Sequence, residues 1–297
     1  SMLGDVGNLV ATVPLTLLLA SGGWTATFLA TGLLTAGYAA VVATTLRVPV
    51  TPITTAPVPI RAVLRSAVTA WRVPGTRLGF WVHFATMVSP TTLGLLWGYP
   101  YLVQARGLTP VRADEVLGAL VIGGLVANPV LGALTSHRRG LRMPIVAGFL
   151  VVGVGLWVLL LAGAQPLPFG VLLAVFTLFA VGGPISTIGF ALARDYNPLH
   201  RVGTATGVVN VGGFLATTLA ALGVGILVGI AGPGHPATAY RIGLLAVVAV
   251  LAVGIWRVAV WWRRARAAID AAQRRGEDVP VRVRLGRWDE RPVEAPV

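Results

Sequence analysis

Hydroxyl side chains in the middle of long apolar runs are the residues of this sequence best suited to chemistry. Ser89, Thr91 and Thr92 surround Pro90. Because proline lacks a backbone N–H, it leaves one carbonyl of the preceding turn without its helical donor. Two interpretations follow: either the hydroxyls line a cavity and bind a small polar ligand, or they satisfy the backbone of a kinked helix.

Two other apolar runs are interrupted in the same way. Asn128 precedes Pro129, and the segment 182–184, which reads Gly-Gly-Pro, is followed by Ser186 and Thr187. Helices that are interrupted deep inside an apolar run are typical of ligand sites within membranes. The residues that we predict to bind a small solute are Ser89, Thr92, Trp97, Asn128, Ser186 and Thr187.

Three side chains each have a functional and a structural interpretation. Asp5 is a carboxylate near the start of an apolar run, so it either couples proton movement or stands at a helix start, where the dipole favours an acid. His83 could titrate near neutral pH, but we favour a packed or interfacial histidine. Trp97 either contacts solute or belongs to an aromatic belt at the outer membrane surface.

The sequence contains no residue pattern typical of an enzyme active site or a metal site. There is no cysteine, which excludes disulfides and thiolate metal sites. His137, His200 and His235 fall in three separate loops, so we predict no metal site and no cofactor. Gly212-Gly213 is followed by no Lys-Ser/Thr and is therefore no phosphate loop. We expect a protein that is not an enzyme.

Composition indicates that the lipid bilayer is the solvent. The chain has 297 residues, of which 56% are hydrophobic and 11% charged, whereas a soluble domain has about 25% charged residues. Apolar runs of membrane-spanning length recur. All 23 basic residues are Arg, and they lie in loops beside the apolar runs, so the net charge of +13 indicates membrane topology rather than nucleic-acid binding.

The apolar runs predict an all-α, polytopic membrane helix bundle of about eight transmembrane helices. Each run is long enough to cross a hydrocarbon core of about 30 Å at 1.5 Å per residue. The predicted spans are approximately 3–20, 24–46, 79–104, 114–135, 143–163, 169–193, 203–230 and 240–262. A tight turn at Ser21-Gly22-Gly23 separates the first two spans.

Two charged segments divide the chain further. Residues 47–78 contain five prolines, five arginines and no acid, and we favour a solvated linker over the alternative of a basic amphipathic helix at Ile60 to Trp71. Residues 263–297 form a charged tail that starts as a short helix and ends as proline-punctuated coil. Because Arg concentrates in 47–78, in two later loops and in the tail, the positive-inside rule places the linker and both termini in the cytoplasm.

Four motifs in order resemble the major facilitator superfamily of secondary transporters. Gly4 to Pro14 followed by Gly23-Trp24 is similar to the fifth helix of that family, and Trp97 to Leu102 to the outer end of the seventh. Gly132 to Arg142 resembles the basic loop between helices eight and nine. Asn197 to Gly213 resembles the entry to the eleventh helix.

The resemblance implies a domain plan. Residues 1–46 would be the last two helices of an otherwise missing N-terminal bundle, 47–78 the cytoplasmic linker, 79–262 a complete six-helix C-terminal bundle, and 263–297 a cytoplasmic tail. The cytoplasmic gate would involve Gly132, Arg138, Arg139 and Arg142. Ser136 and His137 stand where the family carries an acid, which predicts that the acid–Arg contacts of this gate are absent or altered.

The resemblance also implies a function. We expect secondary active transport of a small solute by alternating access, possible proton coupling through Asp5 or His83, and a multi-pass location in the plasma or inner membrane. We expect the 297 residues alone to fail to transport. The alternatives are a non-transporting membrane scaffold or partner subunit and, with less support, a polytopic membrane enzyme.

Overall fold

The computed structural model describes residues 2–46, 59–162, 167–232, 234–276, 281–283 and 290–292. The chain divides into two compact units, Ser1–Ile60 and Arg61–Val297. The predicted linker residues 47–58, the loop residues 163–166 and most of the tail beyond Gly276 lie outside the described residues.

The first unit contains helix α1, Met2–Thr45. Its regular geometry is broken at Gly23, whose φ of 68° and ψ of −176° are accessible to glycine and very unfavourable for residues with a Cβ. The turn predicted at residues 21–23 is therefore a break at one glycine rather than a loop. The side chain of Asp5 is not among the described residues, so its predicted coupling role stays a prediction.

Residues 60–72, which we placed in a solvated linker, form a helix. This helix, α2 (Ile60–Arg72), buries Ala70 against Ala193 and Val209 of two later helices. Ser66 hydrogen-bonds to Thr204 over 3.2 Å. The helix of the alternative interpretation is therefore present, and small residues on one face of it pack onto the end of the bundle. Its position on an anionic membrane surface and the role of residues 47–78 as a linker stay predictions.

The second unit continues with seven longer α-helices, each of 12 residues or more. They are α3 (Pro74–Thr91), α5 (Pro110–His137), α6 (Arg142–Ala162), α7 (Phe169–Ala180), α8 (Gly182–Asp195), α9 (Val202–Ala231) and α10 (Pro236–Arg274). Between α3 and α5 the helix continues through two π-helical turns, Thr92–Trp97 and Tyr101–Ala105, and a short α4 (Gly98–Pro100). Short 3₁₀ turns, Arg139–Leu141 and Leu199–Arg201, precede α6 and α9.

Six helical stretches among the described residues are long and apolar enough to cross a membrane. They are Ser21–Thr45, Pro110–His137, Arg139–Ala162, Phe169–Asp195, Leu199–Ala231 and Pro236–Arg274. The polytopic helical bundle is therefore confirmed. The predicted span 79–104 is helical but is divided by the π-helical turns, and the predicted span 3–20 is the first half of α1.

Helix α3 lies at the centre of the second unit, and glycines allow its neighbours to approach it closely. A Cβ at Gly182 of α8 would lie 2.4 Å from the carbonyl oxygen of Thr86, and one at Gly189 would lie 2.6 Å from that of Gly79. Gly212 of α9 has a similar contact with the backbone of Phe80, at 2.6 Å. Close packing through small residues drives helix association in lipid, because lipid tails are as apolar as the helices and the hydrophobic effect does not hold the helices together.

The C-terminal tail starts as a helix, as predicted, but contains two short strands where we predicted coil. Helix α10 continues to Arg274, twelve residues beyond the predicted end of the last span at 262. Two three-residue strands, β1 (Val281–Val283) and β2 (Glu290–Pro292), pair antiparallel in a region that we predicted as coil. The extension follows from composition, because the Arg- and Ala-rich sequence after Trp262 has high helix propensity.

Candidate functional site

The interruption predicted at Pro90 is a widened helix. The π-helical turn Thr92–Trp97 starts two residues after Pro90, and a second one follows at Tyr101–Ala105. The hydroxyl of Thr91 donates to the carbonyl of Met87 over 2.5 Å. π-helical turns inside longer helices occur frequently at functional sites. The backbone of the central helix is thus irregular at the depth where we expected a ligand.

Three of the predicted solute-binding residues are buried in helix contacts. Ser89 accepts a 2.9 Å hydrogen bond from the indole Nε1 of Trp157 on α6. The hydroxyl of Ser186 donates to the carbonyl of Gly183 within α8. Thr92 is fully buried, and its hydroxyl has no hydrogen-bond partner within the described part of the chain. A buried hydroxyl without a partner is costly, so Thr92 is the one of these three with unused hydrogen-bonding capacity.

The other three predicted residues have more accessible side chains. Thr187 is exposed on α8, although its hydroxyl also donates to the carbonyl of Pro184 over 2.7 Å. Asn128 is half-buried on α5. Trp97 donates its indole N–H to the carbonyl of Ala221 on α9 over 3.1 Å, so the end of the first π-helical turn contacts that helix.

The six residues do not converge on one cavity. A cavity of about 630 Å³ lies between α5 and α7, and its lining includes Gly123, Val126, Thr177 and Val181 but none of the six. Its walls are almost wholly apolar. The structure brings together Ser89 and Thr92, which share the irregular part of the central helix, while Asn128 and Thr187 stand on separate helices.

His83 sits in a packed contact among three helices. It is buried, its ring centroid lies 4.7 Å from that of Phe190, and a Cβ at Gly213 would come within 2.6 Å of its Nε2. This placement agrees with the packed histidine that we favoured. Its possible part in proton coupling is untested by these contacts.

The basic end of the bundle, where α5 and α8 end and α3, α6 and α9 begin, holds a buried ion pair. Arg142, the first residue of α6, donates from its Nη1 to Asp195, the last residue of α8. Arg139 lies 3.6 Å from the other carboxylate oxygen of Asp195. The Nε of Arg142 also donates to the carbonyl of Thr135 near the end of α5. One arginine thus connects three helices.

Helix dipoles explain why these charges pair. A carboxylate at the C-terminus of α8 and a guanidinium at the N-terminus of α6 are each unfavourable on their own helix. In the ion pair, Asp195 lies beside the N-terminus of α6 and Arg142 beside the C-terminus of α8, where each charge is favourable. An acid–Arg contact is thus present at this end of the bundle in an altered form, because the acid is Asp195 and not a residue at position 136 or 137. The part of this contact in a cytoplasmic gate stays a prediction.

The remaining predicted residues of the basic loop have simpler surroundings. Gly132 and Arg138 are exposed. Sequence reasoning missed Asp195, Trp157 and the pair Asn197 and Thr76, which hydrogen-bond over 2.7 Å between the end of α8 and the start of α3. One feature of the sequence could have indicated Asp195: it is an acid at the edge of a loop whose other charged residues are basic. Among the described residues no group of His, Asp or Glu could hold a metal ion.

Comparison with known proteins gives two kinds of match. A probable galactarate/D-glucarate transporter of Escherichia coli strain K12, GudP, is 26% identical over 165 residues, which cover 53% of this chain and 35% of the relative. The protein of the same name from Bacillus subtilis strain 168 is 26% identical over 182 residues, covering 59% and 39%. The matches thus span less than half the length of these relatives. No solved structure matches the chain significantly.

The family match is broader than either of these relatives. A sequence model of the Major Facilitator Superfamily matches residues 79–288, which include every helix from α3 to α10 apart from the first turn of α3. The superfamily consists of membrane transporters rather than enzymes, and the matched residues include most of the membrane-length helices and the buried ion pair. With more than half of its residues matched, the chain belongs to the Major Facilitator Superfamily.

Proposed function

We propose that this bundle serves secondary active transport of a small polar solute by alternating access. The observation that carries the proposal is the match to the superfamily over residues 79–288, in which the central helix α3 and its π-helical continuation occupy the middle of the bundle. Alternating access needs two bundles that move against each other around a site near the bilayer midplane.

The irregular central helix supports a site at mid-membrane. Pro90 and the π-helical turn Thr92–Trp97 weaken the regular backbone ladder of the helix that contacts α8, α9 and α10. Thr92 keeps an unused hydroxyl there, and Thr187 is exposed on the neighbouring α8. We propose that a change in the packing of this segment uncovers Thr92 when solute binds.

The polar groups of the six assigned residues indicate which class of solute could bind. The polar groups that we assign to the site are hydroxyls, an amide and an indole, which suit the hydroxyl groups of a sugar-like solute. The relatives are named as transporters of sugar acids. We propose the same polyhydroxylated class here, with any carboxylate bound by residues outside these six, since none of the six is a cation.

Counterflow in liposomes tests this function. The comparison uses these 297 residues alone and the same residues joined to the N-terminal helices of the Escherichia coli relative. Galactarate, D-glucarate and a neutral hexose are supplied in labelled form to vesicles that are preloaded with the same unlabelled solute. We expect exchange of at least one of the three in the joined protein and none with the 297 residues alone, because alternating access needs two bundles.

Two outcomes would contradict parts of this proposal. Exchange by the 297 residues alone would remove the requirement for a second bundle. Absence of exchange of all three solutes by a joined protein that is folded, as judged by size-exclusion chromatography and helical circular dichroism, would overturn transport of this solute class.

We also propose that the basic end of the bundle faces the cytoplasm and that the protein resides in the plasma or inner membrane. The distribution of Arg among the loops supports this orientation. Because the chain has no cysteine, single cysteines report topology directly. In intact cells a membrane-impermeant maleimide should label Val111→Cys and leave Leu199→Cys unlabelled, although both side chains are exposed. The reverse pattern would invert the orientation.

A further inference from the structure

Arginines and tryptophans gather where α3 and α10 meet at the basic end of the bundle. We call Arg77, Trp81, Arg257, Trp261 and Arg264 the Arg–Trp cluster. Around the ring centroid of Trp261 lie the guanidinium carbons of Arg77 at 4.6 Å, Arg264 at 4.9 Å and Arg257 at 5.8 Å. Arg257 also lies 4.9 Å from the ring of Trp81. Three cations therefore share one indole.

Charge in the Arg–Trp cluster is unbalanced. Each guanidinium gains from the face of an aromatic ring, but the three positive charges repel one another. Arg77 and Arg257 are half-buried, whereas Arg264 is exposed. The ion pairs found in the described part of the chain join Arg139 and Arg142 to Asp195, and none involves the cluster. A bound anion would remove this repulsion.

Hydrogen bonding in the cluster is also incomplete, and the buried atoms without a partner are all donors. Among the described residues the indole Nε1 of Trp81, the indole Nε1 of Trp261 and the Nε of Arg257 are buried without a hydrogen-bond partner. Trp261 is only 5% exposed. All three atoms are donors, and buried donors without acceptors are costly. A ligand that satisfied these atoms would supply acceptor oxygens as well as negative charge.

The cluster is held in place before any ligand binds. The Nε of Arg77 donates to the carbonyl of Trp71 over 2.7 Å, and its guanidinium also lies 5.4 Å from the ring of Trp71. Trp71 lies at the end of α2, which packs onto the bundle through Ala70. Three segments, α2, α3 and α10, therefore hold the arginines and tryptophans of the cluster close together.

Depth in the membrane identifies the source of the anion. Helix α10 starts at Pro236, and Arg257 lies about 30 Å further along it at 1.5 Å per residue, one hydrocarbon thickness from the start of the helix. Trp256, beside Arg257, is 61% exposed, as expected of a tryptophan at the membrane surface. This level is that of lipid phosphates, and basic pockets between membrane helices bind such headgroups.

We propose that the Arg–Trp cluster binds the phosphate of an anionic phospholipid in the leaflet at the basic end of the bundle. The phosphate oxygens accept hydrogen bonds from Arg257, Trp81 and Trp261, while Arg77 and Arg264 balance the charge. The bound lipid links α10 to the start of α3 and so stabilises this end of the bundle. The proposal goes beyond the transport function and does not depend on the identity of the solute.

The test compares the purified protein in nanodiscs of phosphatidylcholine with increasing fractions of phosphatidylglycerol. Two readouts are measured: the thermal unfolding midpoint, and quenching of tryptophan fluorescence by brominated phosphatidylglycerol. We expect phosphatidylglycerol to stabilise the wild type and to quench it more than brominated phosphatidylcholine does. In Arg257→Gln/Arg264→Gln the apparent affinity for phosphatidylglycerol should fall about thirty-fold, because the loss of each Arg lowers the affinity about fivefold.

The matched control is Arg263→Gln/Arg274→Gln, which removes two exposed charges from the same helix. Its phosphatidylglycerol preference should stay within about threefold of the wild type, because these two charges lie outside the Arg–Trp cluster and act only through the screened surface potential. Equal loss of preference in both double variants would reduce the effect to general electrostatics and overturn the site. The absence of any phosphatidylglycerol preference in the wild type would do the same.

Two further measurements distinguish a lipid from a free anion and provide a variant that keeps the charge. Inorganic phosphate is titrated in nanodiscs of phosphatidylcholine alone, and stabilisation equal to that by phosphatidylglycerol would replace the lipid with a free anion. If the double variant does not fold, Arg257→Lys keeps the charge but loses the planar donor group. A weakened lipid preference in Arg257→Lys supports the proposal, and an unchanged preference contradicts it.

Discussion

Asp195→Asn is expected to lower the free energy of unfolding by about 3–5 kcal/mol, the usual cost of removing one partner of a buried ion pair. The side chain of Arg142 is only 9% exposed and that of Asp195 13%. With a neutral amide in place of the carboxylate, the charge of Arg142 stays buried beside the N-terminus of α6, where the helix dipole opposes it. SDS-induced unfolding in mixed micelles measures the change.

A control and a rescue separate the ion pair from other effects of the substitution. Asp114→Asn neutralises an exposed acid on α5 and should change stability by less than about 0.5 kcal/mol. The double variant Arg142→Met/Asp195→Leu replaces the pair with apolar side chains and should recover most of the loss, because it leaves no buried charge. A loss for Asp195→Asn as small as that for Asp114→Asn would show that the pair does not stabilise the bundle.

Gly189→Ala should destabilise the bundle by about 1–3 kcal/mol, the range for overpacking a close contact. The added Cβ would lie 2.6 Å from the carbonyl oxygen of Gly79 and 3.3 Å from the Cβ of His83. Because the nearest atom belongs to the backbone, no side-chain rotation relieves the clash. Helices α3 and α8 must move apart, which loosens the centre of the bundle. The same SDS titration measures the effect.

Gly183→Ala is the matched control, since it places the same methyl group on the same helix. A Cβ at Gly183 would meet nothing within 4 Å. This variant should be neutral or stabilised by up to about 1 kcal/mol, because alanine loses less conformational entropy than glycine in a helix. Opposite signs for the two variants support the glycine contact, and an equal loss in both would indicate a general intolerance of α8 to alanine.

Helix positions were largely predictable because they follow from local hydropathy. The predicted spans 143–163 and 203–230 correspond to α6 (Arg142–Ala162) and α9 (Val202–Ala231) within two residues at each end. A bilayer sets the required length of each apolar run, and this requirement acts on neighbouring residues only. Membership of the superfamily could be inferred from the same local order of motifs, and the family match confirms it.

The solute-binding residues were less predictable because a polar residue inside a membrane helix has several uses. Ser89, Thr92 and Ser186 have the residue types of a binding site, yet the structure buries all three in helix contacts. Ser89 serves as acceptor for Trp157, a partner 68 residues away. No local pattern distinguishes a hydroxyl that packs from one that faces solute, so their role in binding stays a prediction.

Sequence by itself determined the solvent, the approximate limits of most helices, and the superfamily, since each depends on composition or on the order of short segments. Only the tertiary structure decided which residues meet: Asp195 with Arg142, Gly189 with Gly79, and three arginines around Trp261. The physical reason is that hydropathy is summed along the chain, whereas charge pairing and close packing depend on distances between helices that are far apart in sequence.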